Sequence, residues 1–469
     1  MPGHVDLPLV LDREASVPLA VQLGDQLRAG MRAGTLRSGE RLPSSRGLAR
    51  LLGVSRTVVT EAFQQLYAEG WLEGRHGSGT YVADFSQFVA DRSAPPNGTS
   101  PHGGAPDAAI TPAEPDRPAD GLIDLRPGRP WVLDYDRAAW RRAWRRAADR
   151  PPSDVIDPYG HPRLRELLAD HLRRARGVPV GPENVMVTRG TGHGLDLIVA
   201  TLLRPGEAAG VEEPGYAKAR NIVQARGGRI FPCLVDEQGV QPAGLPEDLR
   251  ILYTTPAHQY PLGGRLPIPR REGLLAWARR TGATVIEDDY DAEFRYDVAP
   301  LPALYGLDPE RVVLLGTLSK SLAPDVGIGW LVATPGLLAA IAHTRVALAD
   351  RTSGPVQEAV SVLLERGDLD RHLRRARLEY ARRRAAIVEI LGPRVSGDSA
   401  GLHVFLGLSA GEAAPLVAAA AERGVLLDTA ERHHHGPVRH HGLVIGYGSA
   451  SLNDVRKACA VIAGLLAGR

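Results

Sequence analysis

Residues 314–330, LLGTLSKSLAPDVGIGW, decide the fold class of most of the chain. A short apolar run ends at Gly316, and residues with hydroxyl and amine side chains follow it. Together with the residues before it (VVLLG, 312–316), this run is typical of a strand buried on both faces of a parallel sheet. Lys320 follows that strand closely, at the edge of the sheet where α/β proteins bind ligands. The stretch therefore predicts a parallel sheet with a lysine in its binding edge.

Lysine is rare in this chain. Of the 56 basic residues only three are lysines, Lys218, Lys320 and Lys457. Arginine serves wherever a positive charge suffices, so a retained lysine suits chemistry that needs a neutral amine, such as a Schiff base. Lys457 lies in an apolar C-terminal helical segment and needs no such explanation.

Strand-like and amphipathic segments alternate around this stretch. Five further apolar runs predict strands: MVTRG (186–190), IFPCLVD (230–236), ILYTT (251–255), ATVIEDD (283–289) and GWLVAT (329–334). Helical patterns between several of them, such as HGLDLIVATLL, predict an α/β fold with a mostly parallel sheet and helices on both faces. After about residue 354, an arginine-rich helix and two strands, LHVFLGL and LVIGYG, predict a small α+β subdomain.

Polar and aromatic side chains gather at the predicted strand ends. An aldehyde cofactor with a phosphate and a pyridine ring needs a lysine, an acid for the ring nitrogen, an aromatic platform and a phosphate cradle. Lys320 would form the Schiff base, Asp288 would face the ring nitrogen, and Tyr290 would bind the phenolic oxygen. The remaining candidates are the anion cradle Gly190, Thr191 and Gly192, the hydroxyls of Thr317 and Ser319, Tyr216 for stacking, and His258 and Tyr260 at the phenolic edge. Taken singly, each also has a structural explanation as a turn, a cap, a core tyrosine or a solvated lysine.

The N-terminal region has a different pattern. Leu19, Leu23, Leu27 and Met31 recur every four residues, which predicts one face of a helix. Two more helices follow, RLPSSRGLARLLG ending at Gly53 and SRTVVTEAFQQLYAEG between Ser55 and Gly70, and a hairpin closes the unit. This order predicts a winged helix-turn-helix, whose second helix enters the DNA major groove. The residues placed to contact DNA are Ser45, Arg46, Arg56, Thr57, Thr60 and, in the wing, Arg75, His76 and Gly77.

Length and composition limit the possible domain organisation of the chain. The chain has 469 residues, more than one domain requires. We predict a DNA-binding domain at 1–83, a flexible Pro/Gly-rich linker at 84–121, a large domain at 122–350 and a small subdomain at 351–469. A net charge of +2 does not itself indicate nucleic acid. Two cysteines, no 20-residue apolar run and no signal peptide predict a cytoplasmic protein outside the membrane.

The motifs resemble a known family. GERLPSSRGLARLLGVSRTVVTEAFQQLYAEGWLEGRHGSGTYV is similar to the GntR-type winged helix, and the resemblance implies DNA contacts at Arg46, Arg56, Thr57, Thr60, His76 and Gly77. VEEPGYAKAR, TTPAHQYPLGG, IEDDYDAEFRY and GTLSKSLAPDVGIGW resemble fold-type I aminotransferases in the same order. The whole chain resembles the MocR/GabR subfamily of GntR regulators. That resemblance implies bound pyridoxal 5'-phosphate (PLP), a homodimer, a double-stranded DNA operator and a small-molecule effector.

The sequence departs from the family at two positions. Relatives carry a phosphate-binding arginine seven residues after the lysine, where this chain has Gly327. A charged bidentate contact is lost there, which predicts weaker PLP binding or none. Val444 stands where relatives place the arginine that holds a ligand carboxylate, and Lys218 lies near the position of a second ligand arginine. A simple amino acid is therefore less favoured as the effector.

Three functions remain open at this stage. The first is a PLP-dependent regulator that senses an amine, an amino acid or PLP itself, without steady turnover. The second is a transaminase that also binds DNA, and the third is a regulator whose degenerate domain has lost PLP. A histidine cluster, His433–435 with His440 and His441, predicts a solvated loop or a lip over the pocket. Since no cysteine or paired carboxylate completes a zinc site, we predict no metal.

Overall fold

The structure is a computed structural model. It describes residues 9, 11–13, 15, 17–32, 35–75, 79–83, 121–151, 153–291, 293–296 and 302–468. The predicted linker at 84–121 falls almost entirely outside these residues, as do His76 and Gly77 of the predicted wing.

The N-terminal domain has three helices and a hairpin. They are α1 (Leu19–Arg32), α2 (Ser45–Leu52), α3 (Arg56–Glu69), β1 (Leu72–Arg75) and β2 (Gly79–Val82). The Ser55 side chain caps α3 by accepting from the Val58 amide, and Gly53 and Gly70 end α2 and α3 in the left-handed conformation. Leu23, Leu27 and Met31 of α1 are buried. The predicted winged helix-turn-helix is confirmed, including its caps.

The rest of the chain is built on a large sheet and a small sheet. Its strands are β3 (Ile123–Asp124), β4 (Val185–Thr188), β5 (Ala208–Glu213), β6 (Arg229–Asp236), β7 (Gly239–Val240), β8 (Leu249–Thr254), β9 (Thr284–Asp288), β10 (Val312–Thr317), β11 (Gly329–Val332), β12 (Val395–Ser396), β13 (His403–Gly407), β14 (Val425–Leu426), β15 (Asp428–Thr429) and β16 (Gly442–Gly446). Its helices are α4 (Arg137–Ala148), α5 (Pro162–Arg176), α6 (Thr191–Leu202), α7 (Ala217–Ala225), α8 (Ile268–Thr281), α9 (Leu304–Leu307), α10 (Pro335–Ala347), α11 (Gly354–Glu365), α12 (Asp368–Leu391), α13 (Ala413–Ala421) and α14 (Leu452–Ala467).

The large sheet has eight strands in the order β4-β11-β10-β9-β8-β5-β6-β7. Its five central strands, β10, β9, β8, β5 and β6, are parallel, and β11 and β7 run against their neighbours. Successive residues of a strand enter different cores: Val312 and Leu314 belong to one apolar cluster, Val313 and Leu315 to the other. Both faces are therefore covered, as the continuous apolar runs predicted. The predicted fold class is confirmed.

The small subdomain contains a four-stranded sheet in the order β12-β13-β16-β15. The two strands predicted there, LHVFLGL and LVIGYG, pair antiparallel as β13 and β16. A separate pair joins β14 to β3, near the start of the region assigned to the large domain. The segment just after residue 121 therefore packs with the small subdomain, although it precedes the large one in sequence.

The DNA-binding domain contacts the large domain through the start of α8. Ile268 is 3% exposed and belongs to the apolar core of the winged helix domain. A Cβ on Gly70, at the end of α3, would lie 2.8 Å from Pro267 Cβ, so the two backbones approach closely. Arg32 Nε lies 2.5 Å from Glu272 Oε1 across the same contact. The end of the recognition helix thus rests on the large domain.

Candidate cofactor and DNA sites

Lys320 lies in the loop that follows β10. Its Nζ donates to the Gly128 carbonyl oxygen at 2.5 Å. Burial lowers the pKa of the Lys320 amine, and the nearby carboxylates of Asp291 and Asp288 oppose that shift. A lowered pKa favours the neutral, nucleophilic amine that a Schiff base requires.

Asp288 ends β9 and is fully enclosed. Its Oδ2 accepts from the Tyr253 hydroxyl at 2.6 Å, and the Thr191 hydroxyl lies near enough to lower the pKa of the carboxyl. Burial raises the pKa of Asp288 to about 7, more than these two hydroxyls lower it. Its Oδ1 is buried and has no hydrogen-bond partner among the described residues. A buried acceptor in this state needs a donor, and a protonated ring nitrogen is one.

An anion cradle lies at the start of α6. Gly190 precedes the helix with φ 112°, a conformation that favours glycine. A Cβ added there would lie 3.5 Å from Thr317 Oγ1 and 3.7 Å from Ser319 Oγ, so both hydroxyls face the helix start. Those hydroxyl oxygens are 2.9 Å apart. Free amides at a helix N-terminus and two hydroxyls form a site suited to phosphate.

The cradle depends on Gly329 in β11. A Cβ on Gly329 would lie 2.6 Å from both Gly190 Cα and the Gly316 carbonyl oxygen, and neither backbone atom can move freely. If the cradle binds the phosphate of PLP, Gly329→Ala is expected to displace Gly190 and weaken PLP binding at least about tenfold, because overpacking of this kind costs about 1.4 kcal/mol or more. Fluorescence titration with PLP measures the change.

The matched control for that substitution is Gly336→Ala in α10, where a Cβ meets nothing within 4 Å. It removes a helix glycine and is expected to leave PLP affinity unchanged. Equal PLP affinity in the Gly329→Ala protein would show that the cradle does not hold phosphate.

Aromatic side chains form the wall beside Lys320 and Asp288. The Tyr216 and Tyr260 rings meet edge to face at 6.2 Å, and Tyr260 meets Tyr290 at 6.5 Å. The Tyr290 hydroxyl donates to the His258 carbonyl oxygen at 3.1 Å. Burial, with Asp288 nearby, raises the pKa of Tyr216 to about 12, so its ring stays neutral and apolar for stacking.

The structure brings nearly all predicted site residues together. Contacts and nearby charges connect ten of them into one cluster: Lys320, Asp288, Tyr290, Tyr216, His258, Tyr260, Gly190, Thr191, Thr317 and Ser319. Lys218 also lies near enough to Lys320 to lower its pKa. Gly192 lies in the first turn of α6, where a Cβ would meet Ile222 of α7 at 4.0 Å.

Sequence reasoning missed three residues of this pocket. Tyr253 is hidden in a strand predicted only as core, yet its hydroxyl orients Asp288. Asp291 and His403 carry no local motif that separates them from structural residues. Their proximity to His258 follows from topology, because the loops after β8 and β9 and strand β13 meet here.

The two departures from the family have visible structural settings. Gly327 ends a short 3-10 turn with φ 58°, a left-handed backbone that an arginine adopts only with strain. Val444 is buried in β16, paired with Phe405 of β13 on one side and with the buried acid Asp428 of β15 on the other. The valine itself carries no charge that could bind a ligand carboxylate.

The histidine loop divides into buried and exposed members. His433 is 5% exposed, and its Nε2 lies 3.5 Å from the Tyr260 hydroxyl. Its ring packs against the Tyr260 ring at 5.0 Å. His435 is exposed, and His434 stacks on His440 at 6.1 Å. His433 is therefore buried against Tyr260, His434, His440 and His441 are half-buried, and only His435 of the five is exposed.

The predicted DNA-reading residues lie on α2 and α3. Arg46, Arg56 and Thr57 are exposed, and Ser45 is half-buried. The Thr60 hydroxyl donates to the Arg56 carbonyl within the helix, at 2.9 Å. Arg75 ends β1, and His76 and Gly77 lie outside the described residues.

Arg41 joins this surface although the sequence did not single it out. Its guanidinium packs over Gly79, where β2 begins, and it lines one cleft with Arg56 and Thr60. No acidic side chain pairs with Arg41, Arg46 or Arg56 in the part of the chain that the structure describes. Unpaired arginines of this kind are available for phosphates and base edges.

Comparisons with known proteins agree with both halves of the structure. Residues 19–82 match the family "Bacterial regulatory proteins, gntR family", and residues 132–436 match "Aminotransferase class I and II". The fold is similar to an archaeal alanine:glyoxylate aminotransferase, with a TM-score of 0.69 and 25% identity over 74% of this chain and 91% of that one. It is also similar to the α-aminoadipate aminotransferase LysN of Thermus thermophilus, solved with N-(5'-phosphopyridoxyl)-L-leucine, with a TM-score of 0.67, 25% identity, and coverage of 74% and 93%.

Fold and site thus define a class, bacterial regulators with a helix-turn-helix and an aminotransferase-like domain. The pyridoxine biosynthesis transcriptional regulator PdxR of Corynebacterium glutamicum is 36% identical over 97% of this chain and 98% of its own length. The probable rhizopine catabolism regulatory protein MocR of Rhizobium meliloti is 35% identical over 81% and 79%. The chain belongs to the MocR/PdxR-type transcription regulators of the GntR family. Among the described helices, none is long and apolar enough to cross a membrane.

Proposed function

We propose that this regulator binds PLP at Lys320 and that PLP itself is the effector that changes its affinity for DNA. The observation that carries the proposal is the buried, unpartnered Oδ1 of Asp288 beside a lysine whose pKa is lowered by burial. PLP supplies an aldehyde, an electron-withdrawing ring and a phosphate when bound. In this chain, Lys320 would hold the aldehyde carbon, Asp288 the ring nitrogen, and the α6 cradle the phosphate.

Two features favour PLP over an amino acid as the sensed molecule. Val444 offers no charge for a ligand carboxylate, and its cross-strand neighbours, Phe405 and the acid Asp428, supply no positive charge either. Without such a clamp, an amino donor is poorly oriented for turnover, which also argues against a working transaminase. Similarity over nearly the full length to a regulator named for pyridoxine biosynthesis supports the same choice. An anionic amine remains the second candidate, because Lys218 lies close to Lys320 and could hold its acidic group.

We further propose a homodimer with two DNA half-sites. Val155 is 77% exposed and Ile156 is 56% exposed, on the segment that precedes α5 and lies beside the edge strand β4. The Val187 amide of β4 donates to the Tyr159 carbonyl at 2.8 Å, which fixes that segment against the sheet. Adjacent exposed aliphatic side chains on a fixed segment suit burial against a second copy.

Asp288 gives this proposal a test in stability. Because its pKa is raised in the fold, the PLP-free protein loses stability as pH rises from about 4 to about 7, where the carboxyl ionises only in the unfolded state. Asp288→Asn removes that loss. We expect the PLP-free variant to exceed wild type by about 1–3 kcal/mol at pH 8 in urea unfolding, with a smaller difference at pH 5.

PLP should reverse that order. It stabilises wild type by binding to the folded state, whereas in the variant its ring nitrogen has no carboxylate partner. Asp25→Asn, on a 64% exposed side chain, is the matched control and should leave the pH dependence unchanged. If the stability of Asp288→Asn depended on pH as that of wild type does, the pKa of Asp288 would not be raised in the folded protein.

The route from pocket to DNA is short in this structure. The loop that carries His258 and Tyr260 is closed by the bonds Gln259 N to Gly264 O at 2.6 Å and Leu266 N to Pro256 O at 2.9 Å. Pro267 and Ile268, which contact the DNA-binding domain, follow at once. A ligand that moves this loop therefore bears on the end of α3.

DNA affinity with and without PLP tests the proposed function directly. A duplex selected from random sequences with the full-length protein serves as the operator. Wild type is expected to change affinity at least about tenfold on loading with PLP, a coupling of about 1.4 kcal/mol. Ile268→Ala is expected to keep PLP binding and DNA binding but to shrink that ratio towards one.

Val346→Ala is the control, because the Val346 side chain is 64% exposed. It should keep the full ratio between the DNA affinities with and without PLP. Ile268→Val provides a milder change if the alanine variant unfolds. Equal DNA affinity of PLP-loaded and PLP-free wild type would reject PLP as the effector.

A further inference from the structure

Three buried side chains meet beside the PLP pocket without any role in holding PLP phosphate or its ring nitrogen. His258 follows β8, Asp291 follows β9, and His403 opens β13. They are 2%, 2% and 3% exposed. One potential ligand atom from each lies within 4.8 Å of the other two. Three separate elements therefore bring two imidazoles and a carboxylate to one enclosed point.

The hydrogen bonds of the two rings define which nitrogens are free. His258 Nδ1 and Asp291 Oδ2 lie 2.9 Å apart, which is close enough for both atoms to bind one ion once it displaces the proton between them. The His403 ring bonds to the Pro261 carbonyl, which can only accept, so its other nitrogen, Nε2, is left for a ligand. The His403 Nε2 atom is buried and has no partner among the described residues.

A buried nitrogen without a partner is unfavourable unless a ligand satisfies it. An imidazole whose other nitrogen donates to a carboxylate or a carbonyl is the usual arrangement of a histidine metal ligand. The His403 ring meets that description, and His258 Nδ1 with Asp291 Oδ2 offers the other two ligand atoms.

Glycines keep the space around the cluster open. A Cβ on Gly401, which has φ 72°, would lie 2.1 Å from His258 Nδ1 and 2.6 Å from Asp291 Oδ2. Gly263, with φ 78°, faces His258 Nε2 at a Cβ distance of 3.5 Å. Any side chain at Gly401 would displace the histidine-carboxylate pair, so the backbone is shaped around it.

We propose that His258, His403 and Asp291 form a site for a divalent transition metal ion of the zinc class. Two neutral imidazoles and one carboxylate are a ligand set that Zn²⁺ and its neighbours bind, whereas Mg²⁺ and Ca²⁺ prefer oxygen. Three protein ligands leave a coordination position open to a molecule in the pocket. The PLP-dependent function does not require this ion, and the sequence prediction of no metal is revised here because the ligands are far apart in the chain.

The test is Zn²⁺ binding by the full-length, untagged protein, measured by competition with a chromophoric chelator and by metal content after gel filtration. We expect one ion per chain, and Co²⁺ in its place should give a visible d–d spectrum with nitrogen ligands. His403→Ala is expected to weaken Zn²⁺ by more than about 100-fold, since even outer partners of a ligand are worth 10–100-fold. If the alanine variant unfolds, His403→Gln takes its place. It retains a polar side chain and should also fail to bind the ion.

The exposed histidine loop supplies the necessary control. His435→Ala removes a surface imidazole and should leave the tight site intact. Loss of the ion in His435→Ala, retention in His403→Ala, or no stoichiometric binding by wild type would each overturn the proposal. Because the readout is metal content and spectrum, measured with and without PLP, the result stands apart from the PLP proposal.

Discussion

Lys320→Ala is expected to abolish the absorption band of lysine-bound PLP and the PLP that borohydride fixes to the chain. The reason is chemical, because no other side chain can replace the buried amine of Lys320 as the partner of the aldehyde. The other two lysines are exposed, Lys218 in the first turn of α7 and Lys457 on α14. Absorption spectra of purified protein with and without added PLP measure the change.

Lys457→Ala is the matched control, since it removes one of the three lysines from a surface position. It should leave the band unchanged. Lys320→Arg keeps a positive charge that could donate to the Gly128 carbonyl, yet it should also lack the band. A full band in Lys320→Ala would place the PLP on another amine, and no band in wild type at saturating PLP would mean that the loss of arginine at Gly327 is decisive.

The fold was predictable wherever the pattern was local. The strand VVLLG is a continuous apolar run, TVIED begins with three β-branched residues, and Ser55 and Gly70 mark the ends of α3 by their own chemistry. The order of motifs along the chain then predicted the pocket. These are properties of neighbouring residues, which a single sequence displays directly.

Strand β5 shows where the pattern fails. Its sequence, AAGVEE, has only one β-branched residue and two acids, so it was not predicted, yet it lies inside the sheet between β8 and β6. Gly210 is needed there because a Cβ would lie 2.8 Å from Cys233 Sγ. Buried Glu212 is satisfied by the hydroxyls of Thr254 and Thr255, at 2.5 and 2.6 Å. Partners from the next strand, invisible in the segment itself, make this strand possible.

Contacts between distant segments were equally hidden. The pairing of β3 with β14 joins residues about 300 positions apart, and His403 reaches His258 across 145 positions, from 403 − 258. No pattern in a single sequence specifies such proximity. The same limit explains why Pro267 and Ile268 gave no sign of contact with the DNA-binding domain, although their burial depends on it.

Arg56→Ala is expected to weaken binding to a selected operator by about 5- to 150-fold, the 1–3 kcal/mol typical of a good base contact. Arg56 opens α3, is exposed, and lines one cleft with Arg41 beside the start of β2. Fluorescence anisotropy at several salt concentrations shows whether Arg56 contacts a phosphate or a base. A phosphate contact lowers the salt slope by about one on every sequence, whereas a base contact relaxes preference at one position. Arg382→Ala is the control, because that side chain of α12 is 70% exposed, and it should leave DNA affinity unchanged. If the DNA affinity of Arg56→Ala were within twofold of wild type, this end of α3 would not be part of the DNA interface.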